Sequence, residues 1–200
     1  MARTTASLAL LGILLVAGCA SPKLTDPARS ATEQLLLSTA ADLALKEADL
    51  APLAGRRVFL DTANFEATDK GYVVGAVNSL LTEQGALLAA DRAKAEVVLA
   101  LRAGALSIDR SDFLLGVPNL AVPLPFGGQV QTPEIALLKH ISRTGIAKLG
   151  LHAYEAASGK HVLAIGPLAG RSRYGLWTLV GITFDFTNIP EKHRRGWVDR

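Results

Sequence analysis

The sequence predicts an α+β fold: a single domain with two or three helices packed on one face of a mixed β-sheet of four to six strands. Three observations carry that expectation. A strand, helix, strand succession runs through residues 56–90. Residues 145–156 alternate between apolar and polar, as a strand with one buried face does. A capped amphipathic segment begins at Ser30.

Taken in order, Ser30-Ala31-Thr32-Glu33 has the spacing of a capping box, whose side chains satisfy the first free N–H groups of a helix. The helix is expected to run to about Asp49. Ser38, Asp42, Lys46 and Asp49 form its polar stripe, and Leu36, Leu37, Ala40, Leu43 and Ala44 face the other way. Asp42 and Lys46 are spaced for an ion pair one turn apart. Pro52 and Gly55 stop the element. Val58, Phe59 and Leu60 centre a strand over 56–62. Asp69 is placed to cap a second helix over 70–84, with Val73, Val77, Leu80 and Leu81 on its apolar face and Gly85 as its stop. A short strand over 86–90, a turn over 91–95 and a longer strand over 96–108 follow. The last is apolar on both faces and is therefore expected at the centre of the sheet. In the strand at 145–156, Ala147, Leu149, Leu151 and Ala153 alternate with Lys148, Gly150, His152 and Tyr154. Ser158-Gly159 turns the chain into a return strand over 161–168.

Two segments resist this scheme. Residues 113–133 combine Pro118, Pro123, Pro125, Gly127, Gly128 and Pro133 with Leu114, Leu115, Leu120, Leu124 and Phe126. They read as a long apolar loop, packed first on the body of the domain. A surface for an envelope protein partner or for the membrane is the alternative. Residues 175–186, with Trp177, Phe184 and Phe186, are expected in the core. No repeat of fixed period is visible.

The N-terminus reads as an address. Arg3 supplies a positive start, and residues 6–16 form an apolar run too short to span a bilayer as a helix. The run ends in Val16-Ala17-Gly18-Cys19, which resembles the lipobox of bacterial lipoproteins. That resemblance implies cleavage between Gly18 and Cys19 and a diacylglycerol on the Cys19 thiol. Ala20 follows where an aspartate would signal retention in enteric bacteria, which favours the outer membrane, facing the periplasm. Residues 19–29 are then a lipidated tether. Its eight residues from Ala20 to Pro27 reach at most ~28 Å, so the body at 30–186 stays close to the membrane. Residues 187–200 form a tail with Lys192, His193, Arg194, Arg195 and Arg200. It is expected to be solvated, with contact to anionic headgroups as the sharper reading.

Composition excludes several activities. Cys19 is the only cysteine, so a lipidated Cys19 leaves no thiol for disulfides, metal binding or catalysis. The formal charge of +3 falls to +2 once residues 1–18 are removed with Arg3 and no acid, too little to indicate nucleic acid. His140, His152, His161 and His193 lack metal-ligand spacing and are expected at the surface or at strand edges. Asp109 and Asp112 are expected as turn residues where a strand meets the loop. Gly170-Arg171-Ser172-Arg173-Tyr174-Gly175 is similar to a nucleophile elbow, but with one residue too many before the second glycine. No catalytic, cofactor-binding or metal-binding residue is assigned.

Thr32-Glu33-Gln34-Leu35-Leu36-Leu37-Ser38, Val58-Phe59-Leu60-Asp61, Tyr72-Val73-Val74-Gly75 and Thr132-Pro133-Glu134 together resemble an uncharacterised family of bacterial lipoproteins, a domain of unknown function. The likeness covers about Ser30 to Phe184. It implies an envelope location and no established activity. In architecture alone the chain is also similar to small periplasmic modules of envelope assembly lipoproteins. The expected function is therefore non-enzymatic binding or scaffolding in the cell envelope. An accessory subunit of an envelope transport or assembly machine is the alternative, and an envelope hydrolase is third.

Overall fold

A computed structural model describes residues 29–190, and Ala31 onward forms one compact unit. The signal segment, Cys19, the tether up to Ala28 and the basic cluster from Lys192 lie outside the described residues.

Helix α1 spans Ala31–Leu45. Alanine, leucine, glutamine and glutamate dominate it, all strong helix formers. Its buried side is broader than the predicted stripe: Thr39 and Ala41 are buried with Leu36, Leu37, Ala40 and Ala44, whereas Leu43 is exposed. Helix α1 packs through small residues, so side-chain size decides which stripe faces the sheet. The Asp42 carboxylate accepts from the Tyr72 hydroxyl at 2.8 and 3.0 Å, instead of meeting Lys46. Strand β1 is Arg57–Asp61, helix α2 is Lys70–Glu83 and strand β2 is Leu87–Leu88. Val73, Val77 and Leu81 of α2 enter the core as predicted. Gln84, just past α2, clamps the stretch after α1: it donates to the Ala48 carbonyl at 3.2 Å and accepts from the Leu50 N–H at 2.5 Å.

Strand β3 runs Val97–Val117, β4 is Ala121–Pro123, β5 is Gln129–Gln131, β6 is Ile135–Glu155, β7 is His161–Leu179 and β8 is Ile182–Thr187. The six-stranded sheet has the order β2-β1-β3-β6-β7-β8, and β4 and β5 pair separately. Strand β1 lies parallel to β2 and β3, and the other pairings are antiparallel. The fold is thus α+β, with two helices and a mixed six-stranded sheet.

Three predicted boundaries fail in the same direction. Strand β3 continues nine residues past the predicted end, β6 starts at Ile135 rather than 145, and β7 runs on to Leu179. The segment 113–133 is therefore the end of β3 followed by the small β4–β5 hairpin that leads into β6, not a loop on the body. Residues 175–186 form the β7–β8 hairpin, and Phe184 and Phe186 are exposed rather than in the core. Asp109 and Asp112 sit within β3, not in a turn.

Helix α1 crosses β6 and β7 where glycine lets it approach. A Cβ on Gly170 would collide with the Ala40 carbonyl oxygen, and one on Gly145 would lie 2.6 Å from the Leu36 carbonyl oxygen. Ser172 is buried there and donates to the Leu36 carbonyl at 2.5 Å. The elbow-like run is thus a strand interior with a structural serine. Ser172→Ala removes this bond while the Leu36 carbonyl keeps its place in the helix ladder, at a cost of about 0.5–1.5 kcal/mol. The expected result is a lower urea midpoint with an unchanged slope.

Candidate functional site: an amphipathic sheet arm

Period-two alternation assigns each residue of the long strands to a face. Ala147, Gly145, Gly170 and Ser172 define the face that α1 covers. That cover ends near Arg143, whose guanidinium lies 3.4 Å from Glu33 of α1. Beyond it, β3, β6, β7 and β8 continue as a four-stranded arm.

On the face away from α1, the register aligns side chains in rows. Phe113, His140, Trp177 and Phe184 form one row across all four strands, and Leu115, Leu138, Leu179 and Ile182 form the next. His140 stacks on Trp177 with centroids 4.0 Å apart and planes 17° apart. Phe113, Leu115, Trp177, Leu179, Ile182, Phe184 and Phe186 are all exposed. A soluble monomer rarely shows more than a few hundred Å² of contiguous apolar surface.

The same face changes character toward the body. The row of Ser111, Ser142, Gly175 and Phe186 is followed by Asp109, Thr144 and Arg173, and then by Ser107, Ile146 and Arg171. A groove of about 590 Å³ runs here, lined by Arg171, Arg173, Asp109, His140 and Trp177. Arg102 and Lys148 lie farther down this face. Four cations thus stand against the single acid Asp109.

The α1 side of the arm differs. Its rows read Arg110, Arg143, Tyr174 and Thr187; Asp112, Ile141, Leu176 and Asp185; and Leu114, Lys139, Thr178 and Thr183. Arg110 bonds Asp112 at 2.6 Å and holds its carboxyl below the usual carboxylate range, chiefly through that hydrogen bond. The arm is therefore apolar toward its end on one side and mostly polar on the other, where Leu114, Ile141 and Leu176 are the apolar exceptions.

Both tips are apolar. Phe126 at the β4–β5 turn is fully exposed. The β7–β8 turn holds Val180 at φ 47° and Gly181 at φ 83°. A left-handed φ suits asparagine or glycine, and costs a β-branched residue about 1–2 kcal/mol. Val180 occupies that position while 72% exposed. A bulky apolar side chain sits where a polar one would be less strained.

A family model, described as a family of unknown function (DUF6655), matches residues 13–189. The chain belongs to this family. No curated protein and no solved structure matches it. DUF6655 membership therefore brings no activity with it. In this DUF6655 chain the predicted candidates scatter: His152 lies near Tyr154 and His161, with centroids 5.6 and 5.5 Å away, on the same face but toward the body. Among the described residues no group of three or more His, Cys, Asp or Glu could hold a metal ion. Gly18, Cys19 and His193 lie outside the described residues. The rows of the arm were missed by sequence reasoning. Their signal was the alternation of Phe113, Leu115 and Val117 along β3, hidden among prolines.

Proposed function

We propose that this chain is a lipid-anchored protein of the bacterial cell envelope, without enzymatic activity, whose sheet arm lies in the bilayer as a membrane-embedded scaffold. The observation that carries this reading is the order of side chains along the bare face. Arg171 and Arg173 come first, then the aromatic row with Trp177, then the aliphatic row with Leu179, then the apolar tips. Cations suit anionic headgroups, aromatic rings suit the interface, and aliphatic side chains suit hydrocarbon. Strand β3 from Asp109 to Val117 and β6 from Ile135 to Thr144 are each close to the ~9–11 residues with which a tilted strand crosses a membrane. No helix among the described residues is long and apolar enough to cross, which leaves strands out of account.

The anchor reading has its own support. The DUF6655 match begins at residue 13, inside the apolar run, and so takes in Val16-Ala17-Gly18-Cys19. Lipid on Cys19 holds the arm at a surface, and Ala20 favours the outer membrane. A second reading, an accessory subunit of an envelope transport or assembly machine, is favoured by the outer margins of β3 and β8, which end the arm among the described residues.

Flotation with lipid vesicles tests the proposal. A form beginning at Ala20, which lacks the signal segment and Cys19, is expected to rise with vesicles containing phosphatidylglycerol. Salt at ~0.5 M should weaken that binding without abolishing it, since salt screens the arginines and leaves the apolar rows. In cells, the full chain should take label from a lipid precursor, and Cys19→Ala should not. An anchor-free form that stays with the unbound protein at every lipid composition overturns the reading.

A further inference from the structure

The apolar face accounts for one surface of the arm and leaves its two margins. Strand β1 pairs with β3 only from Val97 to Ala100, so beyond Ala100 the outer side of β3 has no neighbour among the described residues. Strand β8 ends the sheet on the other side, and from Ile182 to Phe186 it has no outward neighbour strand among the described residues. Each margin presents a row of N–H and C=O groups. In hydrocarbon each unsatisfied group costs several kcal/mol, so an open four-stranded sheet is not a stable occupant of a bilayer. The β3 margin carries charges at Arg102, Asp109, Arg110 and Asp112 and two register shifts, and β8 carries Asp185, so protection against edge pairing is partial. Neither β3 beyond Ala100 nor β8 contains a proline or a lysine.

The chain itself supplies the complement. Strands β3, β6, β7 and β8 are antiparallel in succession, so β3 and β8 run in opposite directions. Strand β8 of one copy laid against β3 of the next continues the antiparallel ladder. The side-chain alternation matches too. Ile182 and Phe184 share a face with Phe113 and Leu115, and Thr183 and Asp185 share the other with Arg110 and Asp112. On that polar face Asp185 at one margin is opposite in charge to Arg110 at the other. Pairing β3 with β3 about a twofold axis would instead leave both β8 margins open.

We propose that copies of this chain join margin to margin in the membrane, β8 of each pairing antiparallel with β3 of the next, so that four strands per copy build one continuous sheet. The contact is head-to-tail, so it propagates until it closes on itself. A closed ring removes every free edge, with the polar rows inside and the apolar rows against lipid. This inference rests on the bilayer reading above.

Disulfide mapping in membranes of cells making the full chain tests it. Two strands separate β3 from β8, about 14 Å across the sheet, so cysteines on them cannot bridge within one chain. Arg110→Cys, Asp112→Cys or Leu114→Cys is combined with Thr183→Cys or Asp185→Cys, which samples neighbouring registers on one face. The expected result is a ladder of dimers, trimers and higher multimers for at least one combination. Each single-cysteine variant should stay monomeric, which also reports on any free Cys19 thiol. Monomer in every combination, with the chain still in the membrane fraction, overturns the proposal, and flotation of the anchor-free form then decides the bilayer reading on its own. Dimers from single-cysteine variants, with no larger species, assign a twofold contact and overturn it as well. Failure of the anchor-free form to float is a separate result and removes the bilayer reading itself.

Discussion

Leu179→Asp combined with Phe184→Asp should abolish flotation of the anchor-free protein on vesicles and leave its folding intact. Both side chains lie in adjacent rows of the bare face and are about half exposed, at 54% and 51%. Fully burying a leucine or phenylalanine in an apolar medium is worth about 1.5–3 kcal/mol, so two half-exposed side chains contribute roughly 1.5–3 kcal/mol of binding together. Two carboxylates facing hydrocarbon add a further cost. A loss of ~4 kcal/mol lowers affinity roughly a thousandfold. Stability should change by less than about 0.5 kcal/mol per site, because neither side chain touches the core. Thr183→Asp, one residue away on the polar face, provides the control and should float normally. Equal loss from Thr183→Asp would show that position along the arm matters and the face does not. The alternation argument would then fail.

The part of the fold that the sequence made legible is the part whose residues answer to one core. Val73, Val77 and Leu81 repeat at helical spacing because they all meet the same sheet. Ala147, Leu149, Leu151 and Ala153 alternate because α1 and α2 exclude water from one side only. The arm has no such partner within the chain. Phe113, Leu114 and Leu115 read as an unbroken apolar run, although Leu114 faces away from its two neighbours. Along β6, Lys139, His140 and Arg143 obscured a strand because its polar face is mixed with Ile141. The prolines misled in a different way. Pro118 follows the end of β3 and Pro133 precedes the start of β6, so they bound the strands instead of breaking them. The run from Gly170 to Tyr174 resembled a catalytic turn for a related reason. Its glycine and serine lie under α1, and its arginines lie on the bare face, so a period of two imitated a motif.

Gly170→Val should strongly destabilise the body, and it separates the helix contact from the arm. A Cβ at this position collides with the Ala40 carbonyl oxygen and would sit 2.6 Å from the Ala44 amide nitrogen. Both obstacles are backbone of α1, so no side chain can rotate away. Relief requires lifting the helix from the sheet, which opens the contact of Ala40, Ala41 and Ala44 with the core and stretches the bond from Ser172 to Leu36. Overpacking of this kind costs typically 1–3 kcal/mol, and the rigid partner puts this case at the upper end, about 3 kcal/mol. Against a total of ~5–15 kcal/mol, that is enough to populate unfolded chains at moderate temperature. Urea unfolding followed by circular dichroism should show the midpoint fall. Gly75→Ala gives the opposite sign. It lies exposed within α2 with no atom within 4 Å of an added Cβ, so the gain in helix propensity should raise stability by ~0.5–1 kcal/mol. Equal midpoints for the two variants would mean that α1 does not rest on β7 through Gly170. The face assignment of Arg171, Arg173 and Trp177 would lose its reference, because the rows of the arm are counted from that contact.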